Sequence, residues 1–251
     1  MVDIHSHIVF GVDDGAKTME DSLAMLELAA ESGTTDIVAT PHSDLKYEFD
    51  SDLVVERIAG MQARIGDRIR IHKGCEFHLF YDNVENFKTN RSRFTINGRR
   101  YLMVEFPDAQ IPQTIDGIFR DMIGNGITPV IAHPERNALL MSRLSDMVEW
   151  IRAGCRIQVT SQSFTGRFGK AAEEGCRRLM RRNMVHFVAS DAHDTEWRPP
   201  DLREAWRFVS AEYGDHVAER LFTTHPRMTL TGQHLKCEDP DDEIKPWWKV
   251  W

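Results

Sequence analysis

The residues equipped for chemistry are histidines and carboxylates that recur along the chain. His5 and His7 lie two apart in the opening run DIHSHIVF, and Asp13 and Asp14 follow. His42 closes TDIVATPH, Glu76 ends KGCE, and Glu105 ends RYLMVE. His133 ends ITPVIAH, and Asp191 and His193 lie in ASDAH. Side chains two apart on a strand face the same way. His5 with His7, and Asp191 with His193, can each aim a pair at one point. Asp14, Glu76, Glu105 and Asp191 would add carboxylates to the imidazoles of His5, His7, His42, His133 and His193. Such groups cannot crowd together alone, because the acids repel and the imidazoles lose water. Divalent cations solve this. Imidazole and carboxylate donors without thiolate suit manganese, iron or zinc. A set of this size serves two or three ions if one carboxylate bridges.

These residues need a scaffold that gathers strand ends. β-branched runs alternate with amphipathic stretches throughout. DIHSHIVF, TDIVATPH, RIHKGCEFHL, RYLMVEFP, ITPVIAHPER, RIQVTSQSF and MVHFVASDAH read as strands. Thr18, with Asp21 three residues on, has the form of a capping box opening a helix that stops at Gly33. Further helices are expected at about 51–65, 113–125, 143–153, 168–183 and 201–213 from apolar periodicity. Repeated strand–helix units imply a parallel α/β sheet with right-handed crossovers. An open doubly wound sheet and a closed barrel both fit. No glycine-rich phosphate loop follows the first strand, which weakens the dinucleotide-binding version. In a barrel, C-terminal strand ends converge on one mouth, where these residues would meet.

Other features exclude function classes. The 251 residues carry a net charge of −8, which disfavours a nucleic-acid binder. No apolar run approaches the roughly 18 residues of a membrane span, and no signal peptide is apparent. Cys75, Cys155, Cys176 and Cys237 are widely spaced, so reduced thiols in a cytoplasmic protein are expected. Cys176 and Arg182 match the C-x5-R spacing of cysteine phosphatases, but RRLMR between them is helical and lacks glycine. Such a segment cannot offer free N–H groups to phosphate. His72, His186, His216, His225 and His234 are expected to be non-ligands, while His78 has same-face spacing from Glu76.

MVDIHSHIVFGVDDGAKT, ATPH, GCEF, VEFP, PVIAHPER and ASDAHDTEWRPP together resemble the polymerase-and-histidinol-phosphatase (PHP) superfamily. The resemblance is greatest to its metal-dependent protein-tyrosine phosphatases of bacterial capsule and exopolysaccharide operons. It implies a single-domain distorted (β/α)7 TIM-like barrel over residues 1–231; composition alone marks 232–251 as an acidic, tryptophan-rich tail. The resemblance also implies three ions, usually manganese. By motif position His5, His7 and Asp191 would hold one. Glu76 would bridge to a second, completed by Glu105 and His133. Asp14, His42 and His193 would hold the third. Arg136 and Arg198 match phosphate-binding arginines of these phosphatases. A tyrosine autokinase of polysaccharide export is the implied partner. The sequence departs from the family in the non-basic loop SDLKYEFD, in Trp197 and in the tail.

Phosphomonoester hydrolysis is the expected reaction, with divalent ions acidifying the attacking water and arginines neutralising phosphoryl oxygens. With the carboxylates used as ligands, no strong general acid remains. That favours a phenolate leaving group, of pKa about 10, over an alkoxide. Trp197, Tyr47 and Phe49 are expected to wall the aryl ring. A small-molecule phosphatase acting on histidinol phosphate is the alternative; a nuclease or a non-catalytic relative fits less well.

Overall fold

β-branched runs form strands and amphipathic runs cover them in the structure, a computed structural model that describes residues 1–107 and 109–241. The strands are β1 (Val2–Ser6), β2 (Asp36–Ala39), β3 (His42–Ser43), β4 (Arg70–Lys73), β5 (Glu76–His78), β6 (Tyr101–Glu105), β7 (Thr128–Ala132), β8 (Arg156–Thr160) and β9 (Phe187–Ala189). The helices are α1 (Met19–Glu31), α2 (Ser51–Ile65), α3 (Tyr81–Thr89), α4 (Ile115–Gly124), α5 (Ala138–Ser142), α6 (Leu144–Ala153), α7 (Lys170–Arg181), α8 (Arg203–Tyr213), α9 (Asp215–Glu219) and α10 (His225–Thr231). Thr18 caps α1 through Asp21 as the capping box requires.

All ladders are parallel. One sheet runs β1-β2-β4 and the other β3-β5-β6-β7-β8-β9. Chain continuity joins them, because β2 leads into β3 across residues 40–41 and β4 into β5 across 74–75. Gly74 sits at one such break, where a Cβ would lie 2.8 Å from Val38 Cγ1. At the other edge Ser6 bridges Ala192, the Asp191 N–H donates to His5 O at 2.8 Å, and the His7 N–H donates to Ala192 O at 2.8 Å. The strands therefore run round a distorted barrel with a seam of only a few bonds.

Strand alternation sorts the core into two layers. Tyr101 and Met103 of β6 join Val2, Ile4, Val38, Val130, Ala132 and Phe187 inside the ring. Leu102 and Val104 join Leu26, Met61, Phe119, Trp150 and Leu179 beneath the helices. Glu105 continues the Tyr101–Met103 face and so emerges at the C-terminal mouth. At the opposite end the Tyr101 hydroxyl donates to Gln233 O at 2.7 Å, and Arg156 donates to Leu235 O at 2.8 Å. Buried Leu235 thus lies across the strand starts. The tryptophans expected in the tail at 247, 248 and 251 lie outside the described residues.

Several elements differ from sequence expectation: DIHSHIVF is strand only to Ser6, MVHFVASDAH only over Phe187–Ala189, and TDIVATPH and RIHKGCEFHL each break into two strands. RIQVTSQSF is strand only to Thr160, after which Ser161–Ser163 forms a 3-10 turn. The turn follows from Glu135, whose Oε1 accepts the Thr160 N–H and the Ser163 hydroxyl and ends the ladder. ITPVIAHPER is strand only to Ala132 and turns at Pro134–Arg136. Helix α3 was not expected, because YDNVENFKT is short and polar and its start lacks a side-chain cap.

Candidate metal centre

Every ligand-type residue named from the sequence reaches the C-terminal mouth. His5 belongs to β1, and His7 lies one residue beyond its end. His42 opens β3, Glu76 opens β5 and Glu105 ends β6. His133 and Asp191 arrive differently. Their φ values are +32° and +53°, left-handed conformations that non-glycine residues rarely adopt. Strained backbone of this kind costs about 1–3 kcal/mol and collects at functional sites. Strand alternation therefore places His5 and Glu105 but not Asp191. A close contact fixes the loop bearing Asp13 and Asp14: a Cβ on Gly15 would lie 2.0 Å from His7 O.

Glu76 is the hub. Its Oε1 lies 3.2 Å from His5 Nε2 and 2.8 Å from His133 Nε2. Its Oε2 lies 3.2 Å from His7 Nε2 and 3.1 Å from His42 Nδ1. Asp191 Oδ1 lies 3.4 Å from both His5 Nε2 and His7 Nε2. Asp14 Oδ1 lies 3.4 Å from His42 Nε2 and 3.3 Å from His193 Nε2. Glu105 Oε2 is 3.8 Å from His42 Nδ1, and its Oε1 is 4.0 Å from His133 Nε2. The donors form overlapping groups: His5, His7, Glu76 and Asp191; His7, Asp14, His42 and His193; and His42, Glu76 and Glu105. Within each, ligand atoms lie within 4.8 Å of one another.

Neighbours set the tautomers. His7 Nδ1–H donates to Asp13 Oδ2 at 2.7 Å, His5 Nδ1–H to Gln158 Oε1 at 3.0 Å, and His193 Nδ1–H to the Asp191 carbonyl at 3.0 Å. Each bond turns the Nε2 lone pair toward the cluster, the usual device around ligating imidazoles. Asp13 and Gln158 were not singled out from sequence as site residues. Asp13 sits beside Asp14 and was visible as an acid; Gln158 is distant in sequence and carried no signal.

The cluster fits cations and poorly tolerates their lack. His5 Nε2, His7 Nε2, His42 Nδ1, His193 Nε2 and Asp191 Oδ1 are buried with no hydrogen-bond partner among the described residues. Like groups are also driven apart in charge. Burial opposes a charged His7, yet Asp13, Asp191 and Glu76 outweigh it and lift its pKa well above the usual range. Burial and the charge of His7 push His193 down to about 4. Burial disfavours ionised Glu76, but His5, His133 and His7 hold its pKa well below normal. Burial and the Glu76 charge push Glu105 the other way, to about 8. Positive ions among the carboxylates would relieve both the orphaned donors and this conflict.

Arg136 and Arg198 both donate to Asp191 Oδ2, so two guanidiniums border the cluster. Trp197 beside them is 63% exposed, and the Tyr47 ring stacks on His42 at 6.0 Å. Phe49 does not line the mouth. It is 4% exposed and packs on Phe94 at 5.6 Å, so apolar burial claims it. Cys176 lies inside α7, where burial raises its thiol pKa well above normal, so the C-x5-R spacing has no reactive thiolate. His72 pairs with Asp36 at 3.0 Å, and His186 accepts the Ile157 N–H at 3.1 Å, both away from the cluster.

The chain is similar to known proteins along nearly its whole length. The tyrosine-protein phosphatase YwqE of Bacillus subtilis is 34% identical over 244 residues, covering 96% of this chain and 95% of YwqE. The tyrosine-protein phosphatase CpsB of Streptococcus pneumoniae is 33% identical, covering 93% and 99%. A crystal structure from a study of these two proteins, described as unique metal-dependent tyrosine phosphatases, superposes with TM-score 0.90 at 32% identity. It covers 96% of this chain and 98% of that one. A histidinol phosphate phosphatase of Lactococcus lactis shares the fold alone, with TM-score 0.58 at 14% identity over 88% of this chain and 94% of that one. The sequence pattern of one family matches residues 1–231. The chain belongs to that family, described as capsular polysaccharide synthesis, CpsB/CapC.

Proposed function

We propose that this chain is a metal-dependent protein-tyrosine phosphatase. The observation that carries the reading is the buried cluster at the barrel mouth, with unpaired imidazole nitrogens facing shared carboxylates. His5, His7 and Asp191 would hold one ion, and Glu76 would link it to a second held with Glu105 and His133. Asp14, His42 and His193 would hold a third. Manganese is the ion the family resemblance implies, with iron or zinc as alternatives that the same imidazole and carboxylate donors would also suit. When bound, such ions supply a water of lowered pKa and Lewis-acid charge for phosphoryl transfer.

The chain's own residues do the rest. Arg136 and Arg198 bind phosphoryl oxygens with planar forks that each engage two acceptors. Asp191 Oδ2 restrains both guanidiniums before substrate arrives. Asp13 and Gln158 keep His7 and His5 aimed at the centre. Trp197 and Tyr47 flank the approach and suit an aryl group. A phenolate, with parent pKa about 10, departs without strong proton donation, which favours phosphotyrosine. The natural substrate in this reading is the phosphotyrosine segment of a tyrosine autokinase controlling polysaccharide synthesis, in the cytoplasm.

The test is a substrate panel with the purified protein in added manganese, iron or zinc. Phosphotyrosine peptide should be hydrolysed at least about tenfold more efficiently than phosphoserine peptide or histidinol phosphate. Preference for histidinol phosphate would overturn the protein-substrate reading.

A further inference from the structure

Arg136 and Arg198 come from separate loops. Arg136 ends the turn Pro134–Arg136 after β7, and Arg198 follows β9. Both nevertheless meet one ring. The Arg136 guanidinium carbon lies 4.4 Å from the Phe168 centroid, and that of Arg198 lies 5.8 Å from it. Each cation also donates to Asp191 Oδ2. Both are thus held by an aromatic face together with a carboxylate. A guanidinium on an aromatic face is attracted by the ring quadrupole, and stacking fixes the plane of its fork.

Phe168 is itself held. Its loop turns at Gly166 (φ +79°) and Gly169 (φ +87°), conformations glycine adopts without steric cost. The Gly169 N–H donates to Gly166 O at 2.9 Å, and the Arg167 N–H donates to Gln162 O at 3.1 Å. The same segment is fastened to the loop that carries Arg198. Arg167 Nη1 donates to Trp197 O at 2.9 Å, and Gln162 Nε2 donates to Pro199 O at 3.1 Å. Phe168 is partly exposed, so its place under two cations is not explained by core packing alone.

We propose that Phe168 is a positioning residue, whose ring is the platform holding Arg136 and Arg198 side by side to grip one phosphoryl group. The proposal rests on reading those arginines as the phosphate seat. It adds that an aromatic face, not merely an apolar side chain, is needed beneath them.

The experiment measures inorganic phosphate binding to the manganese-loaded protein by calorimetry, and KM and kcat for an aryl phosphate, in Phe168→Ala, Phe168→Leu, Phe168→Tyr and Arg136→Ala. Phe168→Ala should weaken phosphate binding about tenfold and raise KM more than it lowers kcat, with unchanged metal content. Phe168→Tyr should restore binding to within about twofold, while Phe168→Leu stays about fivefold weak. In an Arg136→Ala background the Phe168→Ala effect should shrink by more than about half, because the ring acts through the guanidinium. Wild-type binding in Phe168→Leu, or an undiminished Phe168→Ala effect in that background, overturns the proposal. If Arg136→Ala weakens phosphate binding and Phe168→Ala does not, only the platform is refuted. If Arg136→Ala leaves phosphate binding untouched, the phosphate seat itself is wrong and the platform falls with it.

Discussion

Replacing Asp13 tests whether the imidazoles are preset for cations. Asp13 Oδ2 accepts from His7 Nδ1–H at 2.7 Å and from the His42 N–H at 3.2 Å, and Oδ1 accepts the Gly15 N–H at 2.9 Å. The carboxylate therefore fixes one imidazole tautomer and the backbone entry to a second. A hydrogen bond to a charged group contributes about 1.5–3 kcal/mol. Lost orientation of a ligating histidine costs about 10–100-fold in metal affinity, which is about 1.4–2.8 kcal/mol. Asp13→Ala should fall near the upper end, since it also frees the His42 and Gly15 N–H groups. Asp13→Asn keeps the shape and an acceptor oxygen, so it should fall nearer the lower end. Competition between protein and a chelating dye measures the affinity directly, and thermal melts of the metal-free variants check the fold. Wild-type affinity in Asp13→Ala would refute the reasoning.

Three other outcomes are expected. Arg136→Ala should cut turnover by about 10²–10³ while leaving metal content intact, since it removes charge stabilisation and no ligand; wild-type-like kcat removes its role. Gly15→Ala should destabilise by about 3 kcal/mol in urea melts and impair metal uptake, because its Cβ would overlap the His7 carbonyl 2.0 Å away. Acid stability should depend on two histidines far from the mouth, His186, which is buried, and His225, which is partly buried. Burial depresses His225 to about 4 and His186 well below normal, and His186 Nδ1 must stay unprotonated to accept the Ile157 N–H. Their folded pKa values lie below the unfolded value, so their contribution is complete above about pH 6.5 and is lost as pH falls toward 4. His225 alone accounts for at most about 3 kcal/mol, less for its partial hydration. The rise of unfolding free energy with pH between about 4 and 6.5 should therefore flatten in His186→Gln; an unchanged slope refutes this.

How far the sequence exposed the site follows from which forces set each position. His5, His7, His42, Glu76 and Glu105 end or begin β-branched runs, and chain order alone carries them to the mouth of a parallel barrel. His133 and Asp191 also reach the mouth, but through left-handed backbone that no side-chain alternation signals. Gln158 and Phe168 were invisible for another reason. Their neighbours are 153 residues away in the case of Gln158 and His5, and on two other loops in the case of Phe168. Strand ends were misjudged where a tertiary acceptor intervened, as Glu135 does after β8. Phe49, read as an aromatic of the mouth, went to the core because a ring in a loop reports hydrophobicity and not direction.

The central claim is that the carboxylate and imidazole cluster exists to hold cations. Metal content per chain, after dialysis against manganese and then a metal-free buffer, tests it most directly when turnover is followed in the same samples. About three manganese ions per chain should remain, and a chelator should remove them together with phosphatase activity, which manganese then restores. Retention of no manganese, or full turnover after every ion has gone, contradicts the account.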